Sequence, residues 1–296
     1  MKYSLIRSIA ASELADVIDA QVHGQDVAIE SIAAISAIDE GSLAFWQGED
    51  PVPTDLPSGS CVIARDRTMC DGTGPVCLLE SSNPRLGFIR LLQWIQEHAL
   101  LVPSNQGEIH PSTAMHSTAI IDSGAQMYAG CDIGPGAYLG ASCRIGSRVI
   151  VGAGSVLGQS GFGYERDEKN VPVRFPHLGN VIVEDGCEIG CNTTIARGSL
   201  VDTHVRSNVK IDDQVYIAHN CDIGASAMIA GGAKICGGVV IGSHCWIGAG
   251  AMIRQGIEIG ENTIVGLGAV VVNSVAANSV VAGNPARLLR ERKCAE

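Results

Sequence analysis

Aromatic residues make up only 4% of this 296-residue chain, against 46% hydrophobic residues overall. That scarcity excludes an ordinary core built on large rings and favours many short, tightly turned units, which the 36 glycines suit. Basic charge is short as well: 20 Lys and Arg face 31 Asp and Glu, a net of −11. Non-specific binding to a phosphate backbone is thereby excluded, leaving room only for a local basic patch on a small phosphorylated ligand. No apolar run approaches the ~18 residues that would span a bilayer. The opening "MKYSLIRSIAASELADVIDA" lacks the uninterrupted apolar stretch of a signal peptide, so a soluble cytoplasmic protein is expected. The 11 cysteines are odd in number and contain no CxxC pair, which argues against a zinc site or a redox couple.

What the chain does have is a period of six. From Ile109 onward an aliphatic residue recurs at Met115, Ile121, Met127, Ile133, Leu139, Ile145, Val151 and Leu157. Four residues after each of the first eight stand Thr113, Ala119, Ala125, Cys131, Ala137, Cys143, Val149 and Ser155, nearly all small. The pattern stops for about 24 residues, resumes at Val183, Ile189, Ile195 and Val201, then runs from Ile211 every six to Val271, giving 24 hexads.

Such a period fits neither a helix at ~3.6 residues per turn nor a strand at ~2, but it does fit a hexapeptide-repeat parallel β-helix. The fold expected is mainly β: a left-handed parallel β-helix over 104–280, with a small α/β domain over 1–103 and a cap or basic tail over 281–296. Three hexads make one triangular coil, so about eight coils should stack at roughly 4.8 Å. Glycines just after the aliphatic residue, as in "IGPG", "IGSH", "IGAG" and "IGEN", are expected to supply positive φ at the corners. Cys131, Cys143, Cys187, Cys221 and Cys245 all take the small position, where a thiol acts as a compact hydrophobe.

Two interruptions stand out. The first, "GQSGFGYERDEKNVPVRFPHLGN" (158–180), is rich in aromatic and charged residues; the second is a four-residue excess between Val201 and Ile211, containing "VRSN". Insertions in a solenoid map to loops on its face, and such loops often bind ligands. Before the repeat, "SLAFW" and "SCVIA" read as strands, "ASELADVID" and "NPRLGFIRLLQWIQEH" as helices, and "LVPSNQGEIHPS" as the linker. After it, Arg287, Arg290, Arg292 and Lys293 make a short basic tail that is either a cap or a phosphate contact.

The ordered motifs "GFGY" (161–164), "EIGCNTTIARG" (188–198), "IDDQVYIAHN" (211–220) and "AGG…CGG" (230–238) closely resemble those of the LpxD family, the UDP-3-O-acylglucosamine N-acyltransferases of lipid A synthesis. The likeness is good over roughly 110–272 and weaker in the N-terminal part, through "GSLAFW" and "NPRLGFIRLL". It implies a homotrimer with active sites in the clefts between rods, passing an acyl group from a phosphopantetheine thioester to a sugar amine. By position, His219 becomes the general base and the Gly237 N–H the oxyanion donor. The spacing supports the pair, since 219 and 237 differ by 18 residues, one full coil.

The amine must lose a proton as it attacks, and imidazole, which ordinarily titrates near neutrality, can accept it. Asp212 or Asp213, on the preceding turn of the same coil, is placed to orient the ring, with Asp212 preferred. Phe162 and Tyr164 either reach the substrate or pin the loop, and His177 stands where the family commonly has glutamine. Asn192 and Arg197 of the second motif are further substrate candidates, and Phe45, followed by Trp46, matches an aromatic that stacks on uracil.

The chain also departs from the family. Ala196 replaces an aspartate, Gly256 stands where a second histidine is expected, Gly48 and Pro51 replace an asparagine and a tyrosine, and a long C-terminal helix that docks acyl carrier protein has no counterpart. Instead "VVAGNPARLLR" resembles the terminus of coenzyme A-dependent hexapeptide acetyltransferases, which makes Asn284, Pro285, Arg287 and Arg290, with Gly256, the candidates for the donor. No tightly bound cofactor is expected. The favoured function is N-acylation, with an acetyl or 3-hydroxyacyl group from acyl-CoA, of another nucleotide-linked amino sugar. The alternative is LpxD chemistry itself, from acyl carrier protein. A zinc-binding or inactive rod is a third possibility, but the residues 18 before and after His219 are Val201 and Gly237 rather than histidines.

Overall fold

The computed structural model describes residues 2–53, 55–66, 77–102 and 107–292. The chain divides into two compact units, one comprising residues 1–103 with 163–176, the other 104–162 with 177–296. Part of the linker (103–106) and Lys293 lie outside the described residues.

In the first unit, strands β1 (Lys2–Ala10), β2 (Gln21–His23), β3 (Ala28–Ala33), β4 (Ser42–Phe45), β5 (Cys61–Ala64) and β6 (Cys77–Glu80) form one sheet. Its order is β1-β3-β4-β5-β6-β2, parallel across the centre and antiparallel at both edges. Helices α1 (Ala11–Ile18) and α2 (Pro84–Glu97) occupy the two stretches read as helical. At the start of α2, Asn83 accepts from Leu86 N–H at 3.1 Å and Pro84 takes the first turn, where its missing N–H costs nothing.

The inner part of the first insertion belongs to this unit, not to a loop of the rod. Strands Tyr164–Arg166 and Pro172–Arg174 pair as a hairpin, whose turn is held by Asp167 accepting from the Lys169 and Val171 N–H groups. Arg90 of α2 clasps Glu168 through two bonds of 3.0 and 2.7 Å, and Gln93 donates to the Arg174 carbonyl. Buried Phe175 closes an aromatic group with Phe88 and Phe45, at centroid distances of 6.2 and 6.5 Å.

The second unit is the β-helix. Its three faces carry ten, eight and seven strands in parallel ladders, the first face ending in an antiparallel hairpin of Ser279–Gly283 with Ala286–Glu291. Ile211 pairs with Ile229, Ile229 with Ile247 and Ile247 with Val265, one coil apart each time. The hexad aliphatics point inward into one continuous core, with Ile133, Leu139, Ile145, Ile217, Ile235 and Ile253 fully buried. Ile109 and Met115, at the rod's first turn, have no coil beneath them among the described residues and stay exposed.

Two readings of the repeat need correction. Val201 is 37% exposed, and Val205 fills the core at 0%, aligned between Val183 and Ile223. The four extra residues therefore lie before Val205, within 198–202, and not in "VRSN". Both valines suit an inward slot, so the pattern alone offered two frames. The glycine immediately after each aliphatic also serves sterics and not positive φ. A Cβ on Gly248 would sit 2.5 Å from Leu267 N in the next coil, whereas the left-handed corner residue comes two later, at Gly250 with φ 66°.

The five cysteines at small positions are buried, and burial pushes the Cys143 and Cys221 thiols up to about 12, so they stay protonated at neutral pH. If Val205 is the core residue, Val205→Ala should cost about 2 kcal/mol through lost methyls and a cavity, and Val201→Ala less than about 0.5 kcal/mol. Denaturation midpoints of the two variants check this, and a larger loss at Val201 would restore the other frame.

Candidate active site

His219 projects from the corner between the second and third faces, after the strand Tyr216–Ile217 and before Asp222–Ile223. Below it in the stack lie the return of the insertion (177–180) and the bulge made by the extra residues (198–202); above it come Gly237 and Gly238. Gly238 N–H donates to His219 O at 2.9 Å, and Gly256 N–H to Gly237 O at 3.0 Å, so one edge carries all of them.

The imidazole is half-buried, and its surroundings determine its protonation pattern. Its Nδ1 lies 2.7 Å from Asn220 Oδ1, which also accepts from Ser199 N–H at 3.2 Å and Ser199 Oγ at 3.0 Å. A backbone N–H can only donate, so this amide atom is the oxygen, and the Nδ1 contact is a hydrogen bond only if Nδ1 carries the proton. In the neutral ring Nε2 is then left with a free lone pair. Asn220 itself is held by its N–H donating to Thr203 Oγ1 at 2.9 Å, and it takes a left-handed φ of 62°.

Glycine is required on both flanks of the ring. A Cβ on Gly237 would sit 2.7 Å from His219 Cε1 and 2.9 Å from Nε2, and one on Gly161 would sit 2.9 Å from Cδ2. The ladder uses Cys236 N–H, to Ile253 O, and Gly238 N–H, leaving the Gly237 N–H between them without a bond among the described residues. The Gly237 backbone and the imidazole nitrogen Nε2 are thus close neighbours. Cys221, at the same corner, is no competitor as a nucleophile: burial holds its thiol protonated, and it donates to Cys236 O at 3.2 Å.

Several sequence candidates fall elsewhere. Asp212 is at the corner between the first and second faces, where its carboxylate accepts from Gly231 N–H at 2.9 Å, and Asp213 accepts from Cys191 N–H at 2.6 Å. Six residues advance the chain by one side of the triangle, so neither can orient a ring on the next corner; Asn220 occupies that place. Exposed Asn192, with φ 53°, shares the corner of Asp212. Arg197 does lie on the His219 edge, but its guanidinium donates to the Gly179 and Leu178 carbonyls at 2.7 and 2.8 Å, tying down the insertion's return.

His177 is brought to His219, the two ring centroids lying 5.3 Å apart. Phe162, next to Gly161, is 81% exposed. Tyr164 is in the hairpin of the first unit, with Arg174 donating to its hydroxyl at 3.2 Å. Phe45 and Trp46 are half-buried there, the Trp46 N–H donating to Asp50 O at 2.8 Å. Exposed Gly256 continues the His219 edge. Asn284, Pro285, Arg287 and Arg290 belong to the terminal hairpin of the first face, with both arginines exposed. Asn220, Ser199 and Gly161 were not singled out from the sequence, although "IAHN" and "GFGY" contain two of them.

A family model described as bacterial transferase hexapeptide (six repeats) matches residues 238–273. Over 257 residues the chain is 36% identical to the UDP-3-O-acylglucosamine N-acyltransferase of Coxiella burnetii, spanning 76% of this chain and 74% of that protein. It is also 50% identical over 78 residues to the UDP-3-O-acylglucosamine N-acyltransferase of Xanthomonas campestris, covering 26% of this chain and 23% of that one. Among solved structures, the UDP-N-acetylglucosamine acyltransferase from Campylobacter jejuni matches with a TM-score of 0.52 over 62% of this chain and 75% of that chain. At 19% identity, that is a likeness of fold.

The assigned tautomer is measurable. Long-range proton–nitrogen spectra at mildly alkaline pH should show His219 protonated at Nδ1, with the other tautomer gaining population in Asn220→Ala. A native ring protonated mainly at Nε2 would refute the hydrogen bond to Asn220.

Proposed function

Because the chain belongs to the UDP-3-O-acylglucosamine N-acyltransferase family, we propose that it transfers an acyl group from acyl-CoA to the amine of a nucleotide-linked amino sugar, with His219 as the general base. The observation that carries this reading is the Nδ1 contact to Asn220 Oδ1 at 2.7 Å, which leaves the Nε2 lone pair free on the side of the ring that packs against Gly237.

The amine nitrogen attacks the thioester carbonyl carbon while Nε2 takes one of its protons. The carbonyl oxygen, now an oxyanion, accepts from the Gly237 N–H, a type of contact worth about 10²–10³ in rate where it has been removed. When the tetrahedral centre collapses, the C–S bond breaks, and the imidazolium returns the proton to the departing thiolate. Asn220 holds the ring throughout, and because it is neutral it accepts from Nδ1–H in both protonation states.

Coenzyme A is supported as the donor by Arg287 and Arg290, exposed on the terminal hairpin of a chain whose net charge is −11. Ala196, Gly48 and Pro51, which depart from the family on the substrate side, support a sugar other than UDP-3-O-acylglucosamine. The family relationship itself favours the second reading, that of UDP-3-O-acylglucosamine acylated from acyl carrier protein. A homotrimer of rods is supported by exposed Met228 and Trp246, which are paired on adjacent coils of one face and need covering. No helix among the described residues is long and apolar enough to cross a membrane, and the substrates proposed are those of the cytoplasm.

His219→Ala should keep the fold and assembly while kcat falls by roughly 10²–10⁴; near-full activity would remove His219 from the mechanism. Mass spectrometry after incubation with amino-sugar nucleotides and either acyl-CoA or acyl carrier protein identifies acceptor and donor. Arg287→Ala is expected to raise the KM for acyl-CoA, and an unchanged KM would move the donor site away from the hairpin.

A further inference from the structure

The first insertion leaves the rod beside His219 and comes back beside it, and its return brings a second histidine. His177 is only 5% exposed, and its ring meets that of His219 edge-on, with an interplanar angle of 71°. The backbone that follows is firmly held. Leu178 N–H donates to Ser199 O at 2.7 Å, and Arg197 grips the next two carbonyls at 2.8 and 2.7 Å. A ring buried to this degree presents little surface to a sugar arriving from solvent, and its broad contact is with the base.

Gly161 completes the arrangement. A Cβ there would collide with His219 at Cδ2 and Cβ and would sit 3.1 Å from His177 Nε2, so the two rings and this glycine form one packed layer. The imidazole of His219 is therefore enclosed by Gly237 on one side, Gly161 and His177 on the other, and Asn220 at Nδ1. Asn220 fixes one point of the ring; a single hydrogen bond still permits a swing about it. A flat neighbour at right angles prevents that swing.

From this geometry we infer that His177 is a positioning residue, whose ring holds the plane of the His219 imidazole so that Nε2 stays directed at the reacting amine. The inference rests on His219 being the base, as proposed above. It differs from a substrate contact at the same position in what it asks of the side chain: a flat ring of this size, with no demand on its nitrogens.

Three variants distinguish these roles, assayed with the acyl donor and acceptor that the native enzyme turns over. His177→Ala is expected to lower kcat about 10- to 100-fold, since a misplaced reacting group carries losses of that order, with KM changed less than about threefold. His177→Phe, which keeps the flat edge, should recover most of the loss, and His177→Gln, which has no ring, should not. A rise in KM at constant kcat in the alanine variant would overturn positioning in favour of a substrate contact. A phenylalanine variant as poor as alanine would overturn it in favour of a role for the imidazole nitrogens, and unchanged kinetics throughout would overturn it outright. His219→Ala is the separate control: if it stays active the base assignment itself fails, whereas an inactive His219→Ala with an insensitive position 177 removes only the inference drawn here.

Discussion

The close seating of each coil on the next is the constraint on which the rest of the rod depends. Ladder bonds such as Gly248 N–H to Val265 O, at 2.8 Å, leave so little room that a Cβ on Gly248 would press on backbone only 2.5 Å away. A stack this tight cannot spread to admit a side chain at a corner. Space for one has to be provided by glycine in the neighbouring coil or by a bulge. His219 has both: Gly237 above it, Gly161 beside it, and the extra residues 198–202 below, which bring Ser199 to Asn220. The orientation of His219 is thus a product of the rod's packing, and its hydrogen bonds refine an orientation that sterics have already narrowed.

How much of this could be read from the sequence follows from the range of each interaction. Inward aliphatics recur every six residues because each side of the triangle repeats the same burial, so the rod was legible. The relation between His219 and Gly237 was legible for the same reason, being one full coil. Where the chain adds residues the count becomes ambiguous, and two valines four apart, one exposed and one buried, could not be told from each other. Asp212 was misplaced by treating six residues as a return to the same edge, when that takes eighteen.

Long-range ties left no periodic trace at all. The membership of residues 163–176 in the first unit depends on Arg90 meeting Glu168, 78 positions away, and on Phe175 joining Phe45 and Phe88. Similarly, the partner of the His219 ring was hidden in plain view in "IAHN", because an asparagine in a corner with positive φ is expected for backbone reasons alone. Only the bulge beneath it shows that its side chain also has work to do.

The discontinuity of the first unit bears on how the protein is made. Most contacts in the rod join residues about one coil apart, so coils can form in order as the chain emerges from the ribosome, each templated by the one before. The first unit cannot follow that course. Its sheet and helices are synthesised first, yet Phe88 and Arg90 must wait for Phe175 and Glu168, by which time the early coils have already emerged. The hairpin's late arrival follows from the path of the chain, which leaves the rod after Phe162 and returns to it at His177. A nascent chain halted before residue 163 would therefore expose apolar surface on α2, giving chaperones a defined window in which to act.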